Sequence, residues 1–202
     1  MTTLSAALLL FLVIDPLGNI PMFMTTLKKV DDKRQRRVVV RELIIALIIL
    51  VGFLFLGQYL LQLLHLSETA LTTAGGIILM IIAIRMIFPA RDKSMQEEIE
   101  GEPFIVPLAI PYVAGPSAMA TSLLMMSREP DRWLDWLFAI LLAWFASALI
   151  IYFSSYFAKF LGEKGLIAIE RLMGMLLITV AVQMLLTGIA EFVGKTLEKA
   201  PQ

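Results

Sequence analysis

The first apolar run of the chain, residues 4–27, is long enough to cross a bilayer but is interrupted in its middle. A transmembrane helix needs about 20 apolar residues. Within this run, Asp15-Pro16-Leu17-Gly18-Asn19-Ile20-Pro21 brings together a carboxylate, an amide, a glycine and two prolines. Proline removes a backbone donor and clashes with the preceding turn, and glycine permits the backbone angles of a break. The run therefore predicts two half-helices joined by irregular backbone, which at membrane depth must be buried in protein or line a wet cavity.

The composition excludes several classes of protein. The chain is 59% hydrophobic and 17% charged, whereas a soluble domain has about a quarter of charged residues. Cysteine is absent and His65 is the single histidine, so no thiolate or histidine metal site is expected. No nucleophile beside a base is visible, so an enzyme is not expected, nor is a cofactor or a nucleic-acid partner. The composition indicates an all-α, polytopic membrane protein.

Six membrane-spanning segments are predicted, and the fourth is interrupted at residues 111–116 as the first is at 15–21. The segments cover residues 4–27, 38–64, 70–88, 103–126, 133–160 and 167–192. A polar loop at residues 91–102 divides them into a first three-helix repeat, residues 1–90, and a second, residues 103–202. The loop is expected to be cytoplasmic.

Internal similarity supports these two repeats. A shift of 95 residues places Pro16 and Pro21 on Pro111 and Pro116, and a shift of 98 places Gly76 on Gly174. Because each half has an odd number of spans, the second half must be inverted relative to the first. Inverted repeats with a broken helix at corresponding positions are typical of secondary transporters, whose solute binds at the breaks.

The distribution of basic residues predicts the orientation. The second predicted loop, around residues 65–69, contains no Lys or Arg, whereas the first is rich in them. The first loop carries Lys28, Lys29, Lys33, Arg34, Arg36, Arg37 and Arg41. Since cytoplasmic loops carry the excess of basic residues, this side is predicted to be cytoplasmic and both termini periplasmic.

The two breaks suit a small zwitterion. Half-helices that begin near Asn19 and Ser117 would direct positive dipole ends at a carboxylate, and the freed carbonyls could hold a cation or an ammonium group. Asp15 is the candidate partner of that ammonium group or of a coupling ion, H⁺ or Na⁺, because a carboxylate at this depth is costly without a function. The alternative is that Asp15 only caps the second half-helix. Ile110 occupies the matching position in the second repeat, so the site would be chemically asymmetric.

Further candidates lie around the breaks and along the later helices. Asn19 either lines the site or caps a half-helix. The hydroxyl groups of Thr25, Ser117 and Thr121 either contact the solute or form hydrogen bonds within their own helices or to a neighbouring helix. Arg85 either pairs with a carboxylate or extends to the membrane interface. The predicted substrate-binding residues are Asp15, Gly18, Asn19, Pro21, Thr25, Ala114, Gly115, Pro116 and Ser117. The predicted pathway residues are Arg85, Thr121 and Gln183.

Four motifs carry a resemblance to a known family. They are Ile14-Asp15-Pro16-Leu17-Gly18-Asn19-Ile20-Pro21-Met22-Phe23, Pro107-Leu108-Ala109-Ile110-Pro111-Tyr112-Val113-Ala114-Gly115-Pro116, Gly75-Gly76-Ile77-Ile78-Leu79 and Glu170-Arg171-Leu172-Met173-Gly174. With them the chain resembles the MarC family of integral membrane proteins, in the superfamily that includes the lysine exporter, and most closely its YhgN-type branch. The resemblance implies a six-span protein of the bacterial inner membrane, with site positions at Asp15, Gly18, Asn19, Pro21, Gly115 and Pro116. The chain departs from the expected family pattern at Thr187, where some relatives are expected to carry Asp or Asn.

The resemblance also implies a function, since some relatives are described as transporters of small neutral amino acids such as alanine and glycine. We expect a secondary transporter that works by alternating access in the lipid bilayer. An uncoupled channel or facilitator is the first alternative, and a non-transporting scaffold or assembly factor is the second. Whether the chain forms a homo-oligomer is left open by the sequence.

Overall fold

The computed structural model describes residues 1–27, 30–88 and 104–198, and the regular elements within them are helices. A π-helical segment, Leu108–Val113, precedes α5, and a single 3₁₀ turn, Pro130–Arg132, precedes α6. The α-helices are α1 (Thr3–Ile14), α2 (Ile20–Leu27), α3 (Asp32–Leu63), α4 (Glu68–Ile87), α5 (Pro116–Arg128), α6 (Trp133–Tyr152) and α7 (Ser154–Glu198). The predicted polar loop at 91–102, Pro103, Lys28 and Lys29 lie outside the described residues.

Four helical stretches are long and apolar enough to cross a membrane. They are Lys33–Leu63, Glu68–Ile87, Pro130–Tyr152 and Lys164–Gly194. Large apolar side chains such as Ile48, Phe145 and Leu186 are exposed on these helices. Since water would disfavour such a surface, the exposed faces suit contact with lipid. The expected class, an all-α polytopic membrane protein, is confirmed.

Both interruptions occur where the prolines and glycines predict them. α1 ends at Ile14, and the chain turns before α2 begins at Ile20. The π-helical segment ends at Val113, and α5 begins at Pro116. Proline is well tolerated at the first position of a helix because its missing N–H has no intrahelical acceptor there. We call α1 with α2 the first broken segment, and the π-helical segment with α5 the second.

The predicted end of the fifth segment at residue 160 is wrong. α6 ends at Tyr152, and α7 starts directly afterwards at Ser154. The helical path of α7 is interrupted at Gly162, whose φ of +64° and ψ of 176° are accessible to glycine alone without a steric penalty. The connection between the spans is therefore itself helical, and its apolar residues hide the bend from a hydropathy pattern.

α4 and α7 pack closely and run antiparallel. A Cβ atom placed on Gly76 would lie 3.1 Å from the carbonyl oxygen of Ala181, and one on Gly174 would lie 3.0 Å from that of Ala83. At the other end, a Cβ on Gly188 would lie 3.3 Å from the Thr69 carbonyl oxygen. Glycine therefore lets the two backbones approach along their whole contact, as is common in membranes.

The remaining contacts define two ends of the bundle. The first broken segment runs parallel to α6, since Arg132 Nη1 donates to the Met1 carbonyl oxygen just before both begin (2.8 Å) and, after α6 has ended, Ser155 Oγ lies 3.6 Å from Met24 Sδ in α2. The second broken segment runs parallel to α3, since the Ile105 N–H donates to Glu42 Oε2 near the start of α3 (2.8 Å) and Gln58 Nε2 lies 3.4 Å from the Met126 carbonyl oxygen near its end. We name the two ends of the bundle the Arg132 end, where α1 and α6 begin, and the Arg41 end, where α3 begins.

Candidate functional site

Asp15 is buried inside the first break. Its side chain has 5% of its surface exposed, and its backbone is left-handed with φ of +48°. The Asp15 N–H closes α1 by donating to the Phe11 carbonyl (3.0 Å), and its Oδ1 accepts the Gly18 N–H (3.1 Å). Gly18 has no room for a side chain, because a Cβ there would collide with the Asp15 carboxylate. Among the described residues no ion pair involves Asp15, so its carboxylate is held only by this turn.

Asn19 joins the two breaks. Its Nδ2 donates to the Ile14 carbonyl (2.8 Å), at the end of α1, and to the Tyr112 carbonyl (2.6 Å), in the second broken segment. The aromatic rings of Phe23 and Tyr112 lie next to this bridge, with centroids 6.0 Å apart. Both N–H groups of the Asn19 amide are thus used on carbonyls that the breaks leave without helical donors. We call Asp15, Asn19 and the carbonyls of Ile14 and Tyr112 the junction.

The second break is compact. Ala114 is buried and donates its N–H to the Ala109 carbonyl (2.8 Å). Gly115 caps α5, and a Cβ there would lie 2.9 Å from the Pro111 carbonyl oxygen. Pro116 and the buried Ser117 then open α5, with the Ser117 backbone lying against Gly75 of α4. The start of α5 is therefore enclosed by protein.

Two predicted residues of α2 have local roles in the structure. Pro21 is the second residue of α2 and is half-buried. Thr25 is exposed, and its hydroxyl donates to the Pro21 carbonyl of the same helix (2.9 Å). The structure therefore places Thr25 away from the junction.

The predicted pathway residues divide between a cavity and the surface. A cavity of about 620 Å³ lies among α1, α4, α5, α6 and α7 and reaches Arg128 and Glu129 at the Arg132 end. Thr121 and Gln183 line it, whereas Arg85 is exposed on α4 and does not. Hydroxyl groups of Thr72, Thr179 and Thr187 also line this cavity, which we call the vestibule. The junction residues Asp15 and Asn19 are not among its lining residues.

Most donors around the vestibule are already used within their own helices. Thr121 donates to the Ser117 carbonyl (2.8 Å) and Thr72 to the Glu68 carbonyl (2.8 Å). Gln183 Nε2 donates to Thr187 Oγ1 (3.2 Å). The hydroxyl oxygens keep acceptor capacity, so these groups offer acceptors to a solute more readily than donors.

Glu42 is a buried charged residue, so the expectation from its place next to Arg41, that it is solvated, is wrong. Its side chain is fully buried on α3 and pairs with Arg41 Nη2 (2.8 Å). Its Oε2 accepts the N–H of Ile105 (2.8 Å), just before the second broken segment. The signal was present, because Glu42 falls at helical spacing between the buried residues Val39 and Ala46. Its place beside the basic first loop made it resemble a solvated residue.

The fold and the junction define a polytopic α-helical membrane protein whose buried polar groups gather at two helix breaks. The sequence model of the "MarC family integral membrane protein" matches residues 1–193, and the chain belongs to this family.

Curated relatives extend over almost the whole chain. The chain is 49% identical to the inner membrane protein YhgN of Escherichia coli (strain K12), over 92% of this chain and 95% of the relative. It is 49% identical to a UPF0056 membrane protein of Buchnera aphidicola subsp. Schizaphis graminum (strain Sg), with the same coverage, and 35% identical to one of Chlamydia pneumoniae, over 93% of each chain. No solved structure matches the chain. These relatives support an integral membrane protein, and their names state no substrate.

Proposed function

We propose that the protein is a secondary transporter of a small solute, with a small neutral amino acid as the favoured substrate class. The observation that carries the proposal is the junction, where Asn19 ties the two breaks together beside the buried carboxylate of Asp15. Discontinuous helices that meet inside the membrane commonly form the solute and ion sites of secondary transporters. A scaffold protein would gain little from such a costly arrangement.

The helix contacts support the two inverted repeats. α1 packs parallel to α6, as α5 packs parallel to α3, while α2 packs on α7 as α5 packs on α4. Exchanging the halves therefore carries these contacts of the two broken segments onto each other. The antiparallel contact of α4 with α7 fits the same exchange. We infer six membrane segments in two repeats that rock against each other around the junction.

The chemistry of the junction favours an ammonium group. Both N–H groups of the Asn19 amide are already used. The side-chain groups that the junction can offer to a solute are therefore the Asn19 amide oxygen and the Asp15 carboxylate, which accept hydrogen bonds. A buried carboxylate needs a proton or a cation to offset its desolvation. Asp15 therefore suits the ammonium group of an amino acid or a coupling H⁺ or Na⁺. The start of α5 at Pro116 and Ser117, with its positive dipole end, suits the carboxylate of the same solute.

The vestibule opens at the Arg132 end, and we infer that a solute enters it before it reaches the junction, whose residues do not line it. Its volume of about 620 Å³ exceeds that of a small amino acid, and threonines, Gln183 and the charged residues Arg128 and Glu129 are interspersed among its apolar lining residues. We place the basic Arg41 end in the cytoplasm of a bacterium and both termini in the periplasm, with the protein in the inner membrane. The proposal involves no enzymatic step, no cofactor beyond the coupling ion and no nucleic-acid partner, and it makes no use of a homo-oligomer.

Reconstituted flux tests the proposal. Purified protein in liposomes should accumulate labelled alanine or glycine against a gradient when H⁺ or Na⁺ flows inward. Flux that only equilibrates the solute, whatever the ion gradient, would indicate an uncoupled facilitator. No flux of any solute in a panel of small zwitterions, from protein that is folded by circular dichroism, would remove the amino acid assignment and favour a scaffold.

A further inference from the structure

The chain makes a strained turn just before the second broken segment. The Val106 N–H donates to the Phe104 carbonyl (2.7 Å), which closes a three-residue γ-turn around Ile105. Ile105 has φ of +63°, a left-handed value that is unusual for a β-branched residue. A γ-turn with positive φ is a rare and strained form. Such a conformation persists only where neighbouring groups hold it in place.

Glu42 and Arg41 hold this turn from both sides. Glu42 Oε2 accepts the Ile105 N–H (2.8 Å), and Glu42 Oε1 pairs with the Arg41 guanidinium at 2.8 and 2.9 Å. The same guanidinium lies over the Phe104 ring, 5.0 Å from its centroid. The fully buried carboxylate thus bonds the backbone of the turn, and the arginine satisfies the charge while covering the aromatic side chain.

We propose that Glu42 is a latch, a positioning residue that holds the second broken segment closed against α3 at the Arg41 end. When its bond to Ile105 breaks, the strained turn relaxes and water reaches the π-helical segment from this end. The docking itself stands on geometry alone, and its part in a transport cycle rests on the proposed function.

An analogous arrangement occurs at the opposite end. Arg132, next to the start of α6, pairs through Nε with Asp135 Oδ2 (2.8 Å) and donates through Nη1 to the Met1 carbonyl oxygen (2.8 Å), just before α1. In each case residues of the second helix of one half, or next to it, contact the chain at the start of the broken segment of the other half. The Asp135 side chain is 46% exposed, however, whereas Glu42 is fully buried.

The difference in exposure between Asp135 and Glu42 indicates which end of the bundle is the more open one. The vestibule reaches the Arg132 end, where the Asp135 side chain is partly exposed. At the Arg41 end the latch is dry and closed. Within the described part of the chain, the contact between α3 and the second broken segment is therefore closed at the Arg41 end, and opening the latch is the step that would expose the junction there.

Cysteine accessibility tests the latch directly, because the chain contains no cysteine of its own. A single thiol from Ala109→Cys would lie in the buried π-helical segment, and one from Ala143→Cys in buried α6, as a reporter of general loosening. Both variants are placed in nanodiscs and treated with a bilayer-impermeant maleimide. In the parent background, both thiols should react slowly.

Glu42→Ala should raise the labelling rate of the residue 109 thiol by about tenfold or more, as expected when a buried hydrogen bond is lost from a closed state. Glu42→Gln keeps an acceptor for the Ile105 N–H but loses the charge, so its rate should be intermediate. The residue 143 thiol should stay protected in both variants.

Unchanged labelling at residue 109 in Glu42→Ala would overturn the latch. Equal acceleration at residues 109 and 143 would also overturn it, since Glu42 would then support the whole fold and not the broken segment. No solute is needed in this assay. Failure of the latch is therefore distinguishable from failure of the transport proposal, which would show as missing flux with normal labelling.

Discussion

Replacing Asn19 by alanine removes both hydrogen bonds that connect the two breaks. Side-chain hydrogen bonds between membrane helices are worth about 0.6 kcal/mol on average and about 1.7 kcal/mol at most. Asn19→Ala also leaves the carbonyls of Ile14 and Tyr112 without these donors, and an unpaired buried polar group adds a desolvation cost, so the loss per hydrogen bond should lie near the upper of these two values. We therefore expect Asn19→Ala to lower the free energy of unfolding by about 1–3 kcal/mol. For a chain of this size that corresponds to a fall in Tm of about 2–12 °C.

The measurement is thermal unfolding in detergent, followed by intrinsic tryptophan fluorescence. Asn19→Asp keeps the side-chain volume but loses the two-donor amide, so its Tm should fall at least as far. Gln183→Ala is the matched amide control, because Gln183 is exposed and bonds only Thr187 of its own helix among the described contacts. Its effect should stay within about 0.5 kcal/mol. A Tm for Asn19→Ala equal to that of Gln183→Ala would refute the bridge between the breaks.

Four other substitutions test the packing and the charges. Gly76→Ala should lower the free energy of unfolding by about 1–3 kcal/mol, because the new Cβ would press on the α7 backbone. Gly52 faces open space, so Gly52→Ala should raise the free energy of unfolding by up to about 1 kcal/mol through the higher helix propensity of alanine. Denaturation midpoints of the two variants should therefore move in opposite directions, and a shared direction would contradict the close contact. Gly162→Ala should lower the free energy of unfolding by about 1–3 kcal/mol although the space around Gly162 is open, because a backbone with φ of +64° disfavours any side chain. An unchanged Tm for this variant would count against the break in α7. The hydrogen bond from Arg132 holds the pKa of Glu129 below its ordinary value of 4.5. The ionised Glu129 therefore stabilises the folded protein above pH 4.5, and this contribution is lost as the pH falls through the lowered pKa. The Tm difference between wild type and Glu129→Gln should therefore shrink below about pH 4.5, and a constant difference would argue against the pairing.

The two breaks could be predicted because proline and glycine act locally. Pro16, Pro21 and Pro116 lack the N–H that a preceding helical turn needs, so they favour the start of a new helix, and Gly18 and Gly115 accept a close approach that any Cβ would prevent. The glycines of α4 and α7 were also visible in the internal repeat, and Gly76 and Gly174 do lie in the contact between these helices. Local backbone chemistry therefore determined much of the fold.

The partners of the polar side chains could not be predicted, since they depend on residues far away in the chain. Asn19 bonds the carbonyl of Tyr112, 93 residues later, and Glu42 bonds the N–H of Ile105, 63 residues later. A single sequence contains no distance information of this kind. The end of α6 was missed for a different reason, because Phe153 and Tyr156 suit both a membrane core and its interface.

The most direct test of the junction as the transport site is solute flux in liposomes, with Asp15→Asn compared with wild type. Asp131→Asn is the matched control, since Asp131 is exposed in the turn before α6. Tm values are measured first to establish that the three proteins are equally folded. We expect Asp15→Asn to abolish ion-driven uptake of alanine or glycine and Asp131→Asn to transport at the wild-type rate. Uptake by folded Asp15→Asn at the wild-type rate and with the same ion dependence would contradict this expectation.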